Sequence, residues 1–174
     1  YGDVASISAT PKGERFVTGG KYDRTVRVWN RSGACERIYR EHTMDVSCVS
    51  ISVDGARVCS GGWDAQVLVQ DVESENGLPK DAAGHLLNIT ALVFDEKGEH
   101  LFTSSWDKTI RKWDVSEMEC VAVWRGHSAT VNGLALHQGK GPLLSCGGSG
   151  QIFIGDTASG LPIWKALPEA HSRK

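Results

Sequence analysis

Charge of one sign is what this 174-residue chain lacks most plainly: 19 Lys and Arg stand against 21 Asp and Glu, a formal net of −2. Proteins that read nucleic-acid grooves carry a basic face to neutralise phosphates, so the balance disfavours a nucleic-acid partner. Long apolar runs are missing as well. None approaches the ~20 residues that a bilayer-crossing helix needs, and the first residues lack the charged-then-apolar layout of a secretory signal. No membrane partner is expected. Cysteine is sparse and odd in number, at positions 35, 48, 59, 120 and 146, and no two have C-x-x-C spacing. A zinc site is therefore not indicated. Reduced thiols packing as small apolar groups fit an intracellular compartment, cytoplasmic or nuclear. No stretch has the period of an amphipathic helix, and no G-x-S-x-G elbow is present. The run from Gly147 to Gly150 has no Lys where a phosphate loop requires one. No cofactor and no metal are expected.

What the chain does have is a period. Histidines 42, 85 and 127 step by 43 and 42 residues; Asn30, Asp71, Asp114 and Asp156 step by 41, 43 and 42; Asp23, Asp64 and Asp107 step by 41 and 43. Three markers share one repeat near 42, the length of a four-stranded propeller blade. The stretch from Gly84 to Asp114 shows the unit whole: Gly-His, an apolar run from Ile89 to Phe94, a turn, a second run from His100 to Ser105, a tight turn at Asp107, and a third run ending in Trp-Asp. Four such units follow one another at about 1–40, 41–83, 84–125 and 126–167, with 168–174 as a loose tail. In the second unit the last strand is obscured by the polar segment 73–80. First strands read VASISA, VSCVSI, ITALVF and VNGLAL, apolar on both faces, as strands buried between neighbouring sheets must be. Third strands such as TVRVWN and TIRKWD alternate and are half exposed. The fold class expected is all-β: a β-propeller of four four-stranded antiparallel blades, an incomplete ring or part of a larger propeller. Tyr1 falls in mid-pattern, which suggests a piece of something longer.

The GH…WD frame resembles the WD-repeat (WD40) propeller family over essentially the whole chain. The resemblance implies a hydrogen-bonded chain in each blade: a His before the first strand, a Ser or Thr on the second, an Asp in the next turn and a Trp on the third. In the third unit these are His85, Ser105, Asp107 and Trp113. The second unit keeps His42 and Asp64, with Gly62 at the Ser position and Gln70 at the Trp position. The first has Asp23 and Trp29, with its His expected upstream of Tyr1. The fourth keeps His127, with Gly150 and Gly155 where Asp and Trp would stand. Blade three is thus expected to be the most rigid and blade four the least. The same His85, Ser105 and Asp107 match a hydrolase triad by type alone; their recurrence as spaced remnants in every unit favours a structural network, whose members satisfy one another's buried polar groups.

The resemblance also implies a binding face made by the loops before the first strand and between the second and third. The residue before each turn Asp is Tyr22, Trp63 or Trp106, with Ser149 in the fourth unit; the residue before each first strand is Asp45, Asn88 or Thr130. Large aromatics interleaved with an acid and polar groups suit a hot spot for a protein or peptide partner. The function expected is a non-catalytic interaction scaffold. Its remaining blades would come from absent sequence, a second copy or another subunit. The alternative is the non-catalytic propeller portion of a larger enzyme whose catalytic domain lies elsewhere.

Overall fold

In the computed structural model, residues 2–74, 80–81, 84–137, 141–157 and 165–166 are described. Among these residues all of the regular structure is strand. Blade one holds β1 (Val4–Ala9), β2 (Arg15–Gly20), β3 (Val26–Asn30) and β4 (Cys35–Tyr39). Blade two holds β5 (Val46–Ile51), β6 (Arg57–Gly62), β7 (Val67–Asp71) and β8 (Lys80–Asp81). Blade three holds β9 (Ile89–Phe94), β10 (His100–Ser105), β11 (Thr109–Asp114) and β12 (Cys120–Arg125). Blade four holds β13 (Val131–Leu136), β14 (Leu143–Gly147), β15 (Ile152–Gly155) and β16 (Lys165–Ala166). Each blade is one sheet with its strands paired in chain order and antiparallel, as short hairpin turns require. The short β8 completes blade two beyond the polar segment. The third strand of that blade begins at Val67, and Ala65 sits in the turn before it with φ 63°. The tail, 168–174, lies outside the described residues.

First strands lie side by side: β1 against β5, β5 against β9, β9 against β13. Hydroxyls tie these neighbours together. Val49 and Ile51 donate their amides to Ser6 and Ser8 Oγ at 3.1 and 3.3 Å, and Thr90 Oγ1 donates to the Val131 carbonyl at 2.6 Å. The core is accordingly split into three seams. Val17, Val26 and Val28 of blade one meet Val46, Val49, Ile51 and Val58 of blade two. Cys48, Cys59, Val67 and Val69 meet Ile89, Leu92, Leu101 and Trp113. Phe102, Ile110 and Trp124 meet Val131 and Leu143. A side chain fully buried in such a seam contributes about 1.5–3 kcal/mol. Burial holds the Cys48 thiol up at about 12, and Cys59 is also raised well above its usual value, so both are packing groups rather than reactive thiols.

The hairpins joining first and second strands repeat a further link. Arg15 Nη1 donates to the Gly55 carbonyl at 3.4 Å and Arg57 Nη1 to the Gly98 carbonyl at 3.0 Å, each reaching the next blade's turn. Gly55 and Gly98 have φ of 72° and 69°, the left-handed region that admits a glycine without strain.

Candidate interaction face and the histidine networks

Within blades two, three and four a buried imidazole lies behind the turn joining second and third strands. In blade three His85 Nδ1 is 2.8 Å from Asp107 Oδ2, and His85 Nε2 is 2.8 Å from Thr103 Oγ1. The same Oγ1 accepts the Trp113 indole N–H at 2.8 Å. One proton arrangement satisfies every member: Nδ1–H donates to the carboxylate, the threonine O–H donates to Nε2, and the indole donates to the threonine. Asp107 also accepts the backbone N–H and the hydroxyl of Thr109, at 2.9 and 2.6 Å. Burial pushes its carboxyl up, yet the hydrogen bonds from His85 and Thr109 outweigh this and hold it well below the usual range.

The hydroxyl in this chain is Thr103, not Ser105. Ser105 lies two residues further along β10, where the other blades have Gly20, Gly62 and Gly147; it donates to the Leu87 carbonyl at 2.9 Å and accepts the Asp107 amide at 3.1 Å. The imidazole enters over the strand short of its end, so the residue two before the last of the second strand is the one it reaches. That position is Ser60 in blade two and Ser145 in blade four, 2.9 and 2.8 Å from His42 and His127 Nε2. In blade one it is Thr18, which accepts the Trp29 indole N–H at 2.9 Å. Gly62 therefore displaces no hydroxyl from blade two. The steps of 42, 43 and 42 from Thr18 through Ser60 and Thr103 to Ser145 were the available signal. Thr103 is fully buried and already engaged on both sides, so it is not a nucleophile, whatever its likeness to a hydrolase triad.

Blade two keeps the carboxylate, with Asp64 3.0 Å from His42 Nδ1, while Gln70 fills the tryptophan position and donates to Glu41 at 2.9 Å. Blade four departs further. Ser149, not Gly150, takes the Asp register, since Gly150 carries the positive φ (76°) of the following residue, as Lys108 does (69°). Ser149 turns to Gln151 at 3.0 Å, and His127 Nδ1 is buried with no hydrogen-bond partner among the described residues. Phe153, two positions before Gly155 on the same strand, packs edge-on against this imidazole with ring centroids 4.4 Å apart.

The loops on the same end carry the expected interaction residues. Trp63 and Trp106 each donate a backbone amide to the carbonyl of the residue before their blade's first strand, Asp45 at 2.9 Å and Asn88 at 3.0 Å. In blade four Gly148 occupies this place and donates to the Thr130 carbonyl at 2.8 Å; in blade one Lys21 does so, to Asp3 at 2.7 Å. The first turn holds one residue more than the others, which puts Tyr22 one position out of register with the two tryptophans, and Ser149 is likewise one position past it. Tyr22 bends towards blade two and donates its amide to Asp45 Oδ1 at 3.1 Å. Tyr22, Trp63 and Trp106 are 70%, 42% and 44% exposed. The two indoles meet across the blade boundary, centroids 6.4 Å apart and tilted by 39°. Met44, Leu86 and Leu87, in the loops that also hold Asp45 and Asn88, are exposed as well. Sequence reasoning passed over these three, although an apolar pair between Gly-His and a strand is out of place in a loop that merely faces water.

Among the described residues Asp95, Glu99 and His100 bring three potential metal ligands within 4.8 Å of one another. Asp95 is already committed there: Oδ1 accepts the Glu99 amide at 2.9 Å and Oδ2 faces His100 Nδ1 at 3.0 Å, which is a capped turn. No helix among the described residues is long and apolar enough to cross a membrane.

Four-stranded antiparallel sheets, shared first-strand seams and an imidazole behind the second turn of blades two, three and four define a β-propeller built of repeated blades. The family model described as "WD domain, G-beta repeat" matches residues 1–30, 33–71, 80–114 and 118–156, and the chain belongs to the WD-repeat family. It is 31% identical over 168 residues to the target of rapamycin complex subunit wat1 of Schizosaccharomyces pombe, covering 94% of this chain and 52% of that protein. It is 35% identical over 116 residues to pre-mRNA-processing factor 19 of Bos taurus, covering 67% of this chain and 23% of that one. Over 132 residues it is 30% identical to the target of rapamycin complex subunit LST8 of Saccharomyces cerevisiae, covering 75% and 43%. The chain thus spans about half the length, or less, of these relatives.

Proposed function

We propose that this chain is a non-catalytic scaffold that presents the loop face bearing Tyr22, Asp45, Trp63, Asn88, Trp106 and Thr130 to a protein or peptide partner inside a larger intracellular assembly. The observation that carries the reading is the Trp63–Trp106 pair: two large indoles left part-exposed with their rings 6.4 Å apart across two blades, while Met44, Leu86 and Leu87 of the loops before the first strands are exposed too. Aromatic residues of this kind concentrate binding free energy when a partner excludes water from them. The names of the relatives support the class, since two of those above are subunits of the target of rapamycin complex. Nucleic acid and membrane are not the partners this composition suits.

Further blades complete the arrangement. Val4 and Ile7 are exposed on blade one, whereas the residues in their register, Val46 and Val49 in blade two and Ile89 and Leu92 in blade three, are buried in seams. The rest of a longer chain, a second copy or another subunit would cover them.

The test is the double variant Trp63→Ala, Trp106→Ala, compared with wild type by affinity capture from a cell extract and by thermal unfolding. The expected result is a set of captured proteins retained by wild type and lost by the variant, with the unfolding midpoint little changed. Capture that is unchanged while the midpoint falls would make the indoles structural and remove the site.

A further inference from the structure

The end of the blades opposite the Trp63 and Trp106 loops, where first strands turn into second, carries a groove of its own. Its volume is about 460 Å³, within the range of sites that hold a few side chains or a small ligand. Ile51, Val53, Val93, Phe94 and Leu136 give it apolar walls drawn from blades two, three and four. Blade three lies in the middle, with a blade packed on either side. Ile51, Phe94 and Leu136 end their first strands, and Val53 is 52% exposed in the turn after β5. Glu96 holds the same place in blade three's turn, 43 residues on, and lines the groove together with Asp95.

Charge at this end is one-sided. The two turns of blade three on this side, 95–100 and 114–119, hold Asp95, Glu96, Glu99, Asp114, Glu117 and Glu119 against one lysine, Lys97. They adjoin, since the Val115 amide donates to the Glu99 carbonyl at 3.0 Å. Six acids against one base is a larger excess than the formal −2 of the whole chain. The cations nearby are already engaged: Lys97 lies 3.8 Å from Glu99, and His100 Nδ1 lies 3.0 Å from Asp95 Oδ2. Glu96 is exposed, and no cation among the described residues pairs with it.

We propose that this groove binds a basic segment of a second protein, whose apolar side chains lie against the aliphatic walls and whose Lys or Arg meets Glu96. Two independent observations converge on it. The exposed aliphatics mark a surface that gains from being covered, and the charge selects what covers it. An acidic or neutral segment would be repelled or indifferent, whereas a basic one is drawn to this end by the field of the six carboxylates. At Glu96 the arriving cation finds an acceptor with no internal competitor. The site lies at the far end of the strands from the Trp63–Trp106 loops, so both faces can be occupied at once. A scaffold built this way holds two segments on opposite sides of one propeller.

The test is calorimetric titration of the chain with the peptide acetyl-Lys-Leu-Arg-Leu-Lys-amide at about 0.15 M salt, where distant surface charges are largely screened. Two control peptides separate the contributions: one with Ser for both Leu, the other with Glu for all three bases. The first peptide is expected to bind saturably, and each control at least roughly tenfold more weakly. Glu96→Lys should weaken the first peptide by roughly tenfold or more, and Val53→Ser by roughly threefold. Glu117→Lys, on the same acidic end but outside the groove, should change it by no more than about twofold. These three positions are exposed, and unfolding midpoints near that of wild type would show that the fold is kept. No binding of the first peptide, equal binding of its Ser control, or equal losses for Glu96→Lys and Glu117→Lys would overturn the proposal. The second and third of these results would reduce the site to diffuse attraction by an acidic surface. Trp63→Ala with Trp106→Ala should leave the titration unchanged, so the fate of this groove and that of the tryptophan face are read separately.

Discussion

Blade three and blade four place an imidazole at the same register and surround it differently. His85 is held from both ring nitrogens, by Asp107 and Thr103, with Trp113 behind the threonine. His127 keeps its serine; among the described residues its Nδ1 has no hydrogen-bond partner, and a phenylalanine covers the ring. Both are buried, so both lose hydration, but only His85 recovers it in full. An unsatisfied buried polar atom costs on the order of 1–3 kcal/mol. The repeat is thus a frame that can carry a complete or an incomplete polar network. The apolar seams keep the incomplete one folded, with Val131 and Leu143 packed against Phe102 and Ile110.

The largest effect should follow from making blade three worse than blade four. Asp107→Ala removes the acceptor of His85 Nδ1, the Leu86 amide and both groups of Thr109 at once. We expect a loss of about 3 kcal/mol in urea unfolding, since a buried carboxylate is removed and the donors it accepted from are stranded. A loss below about 1 kcal/mol would mean that the carboxylate's desolvation cancels its bonds, and the contrast between the blades would fail. Next, Thr103→Val keeps the shape of the side chain and strands both His85 Nε2 and the Trp113 indole, for about 2 kcal/mol. Ser105→Ala removes two bonds to backbone groups at the strand end and should cost about 1 kcal/mol or less. The reverse order would return Ser105 to the network.

That pair of substitutions marks where the sequence was legible and where it was not. The period near 42, the antiparallel blades and the apolar first strands could all be read, because they rest on residue type at coarse spacing. Which hydroxyl meets the imidazole is decided by a shift of two residues on one strand, Thr103 against Ser105, and both lie on the same side of β10. The first binding loop shows the same limit. One added residue before Thr25 leaves Lys21 in the place of the tryptophans and moves Tyr22 past it, although counting back from Asp23 aligns all three. In blade four, counting assigned Gly150 to the aspartate position; the positive φ at Gly150 shows that Ser149 stands there. Turn geometry sets register locally, and type and spacing do not carry it.

The smallest effect is also the one that would make blade four resemble blade three. Burial lowers the pKa of His127 below its usual value. The unfolded chain, titrating near 6.5, therefore binds a proton that the folded blade refuses. The resulting stability is fully present above about pH 6.5 and is lost as pH falls from there towards the depressed folded value. Asp107 behaves in the opposite chemical class: its contribution is present above the unfolded carboxylate value near 3.9 and is lost only below it. Amide exchange of blade-four peptides, corrected for the pH dependence of the intrinsic exchange rate, should thus accelerate as pH falls from 7.5 to 5.5 while that of blade three does not. Ser149→Asp offers His127 Nδ1 the missing carboxylate, at a register already followed by a glycine in the left-handed region. It should add about 1 kcal/mol at pH 7 and abolish the acid-dependent acceleration, because a carboxylate beside the ring favours the imidazolium instead of opposing it. If blade four of that variant still loosens at pH 5.5 as wild type does, its weakness belongs to the Phe153 packing and not to the unpaired nitrogen.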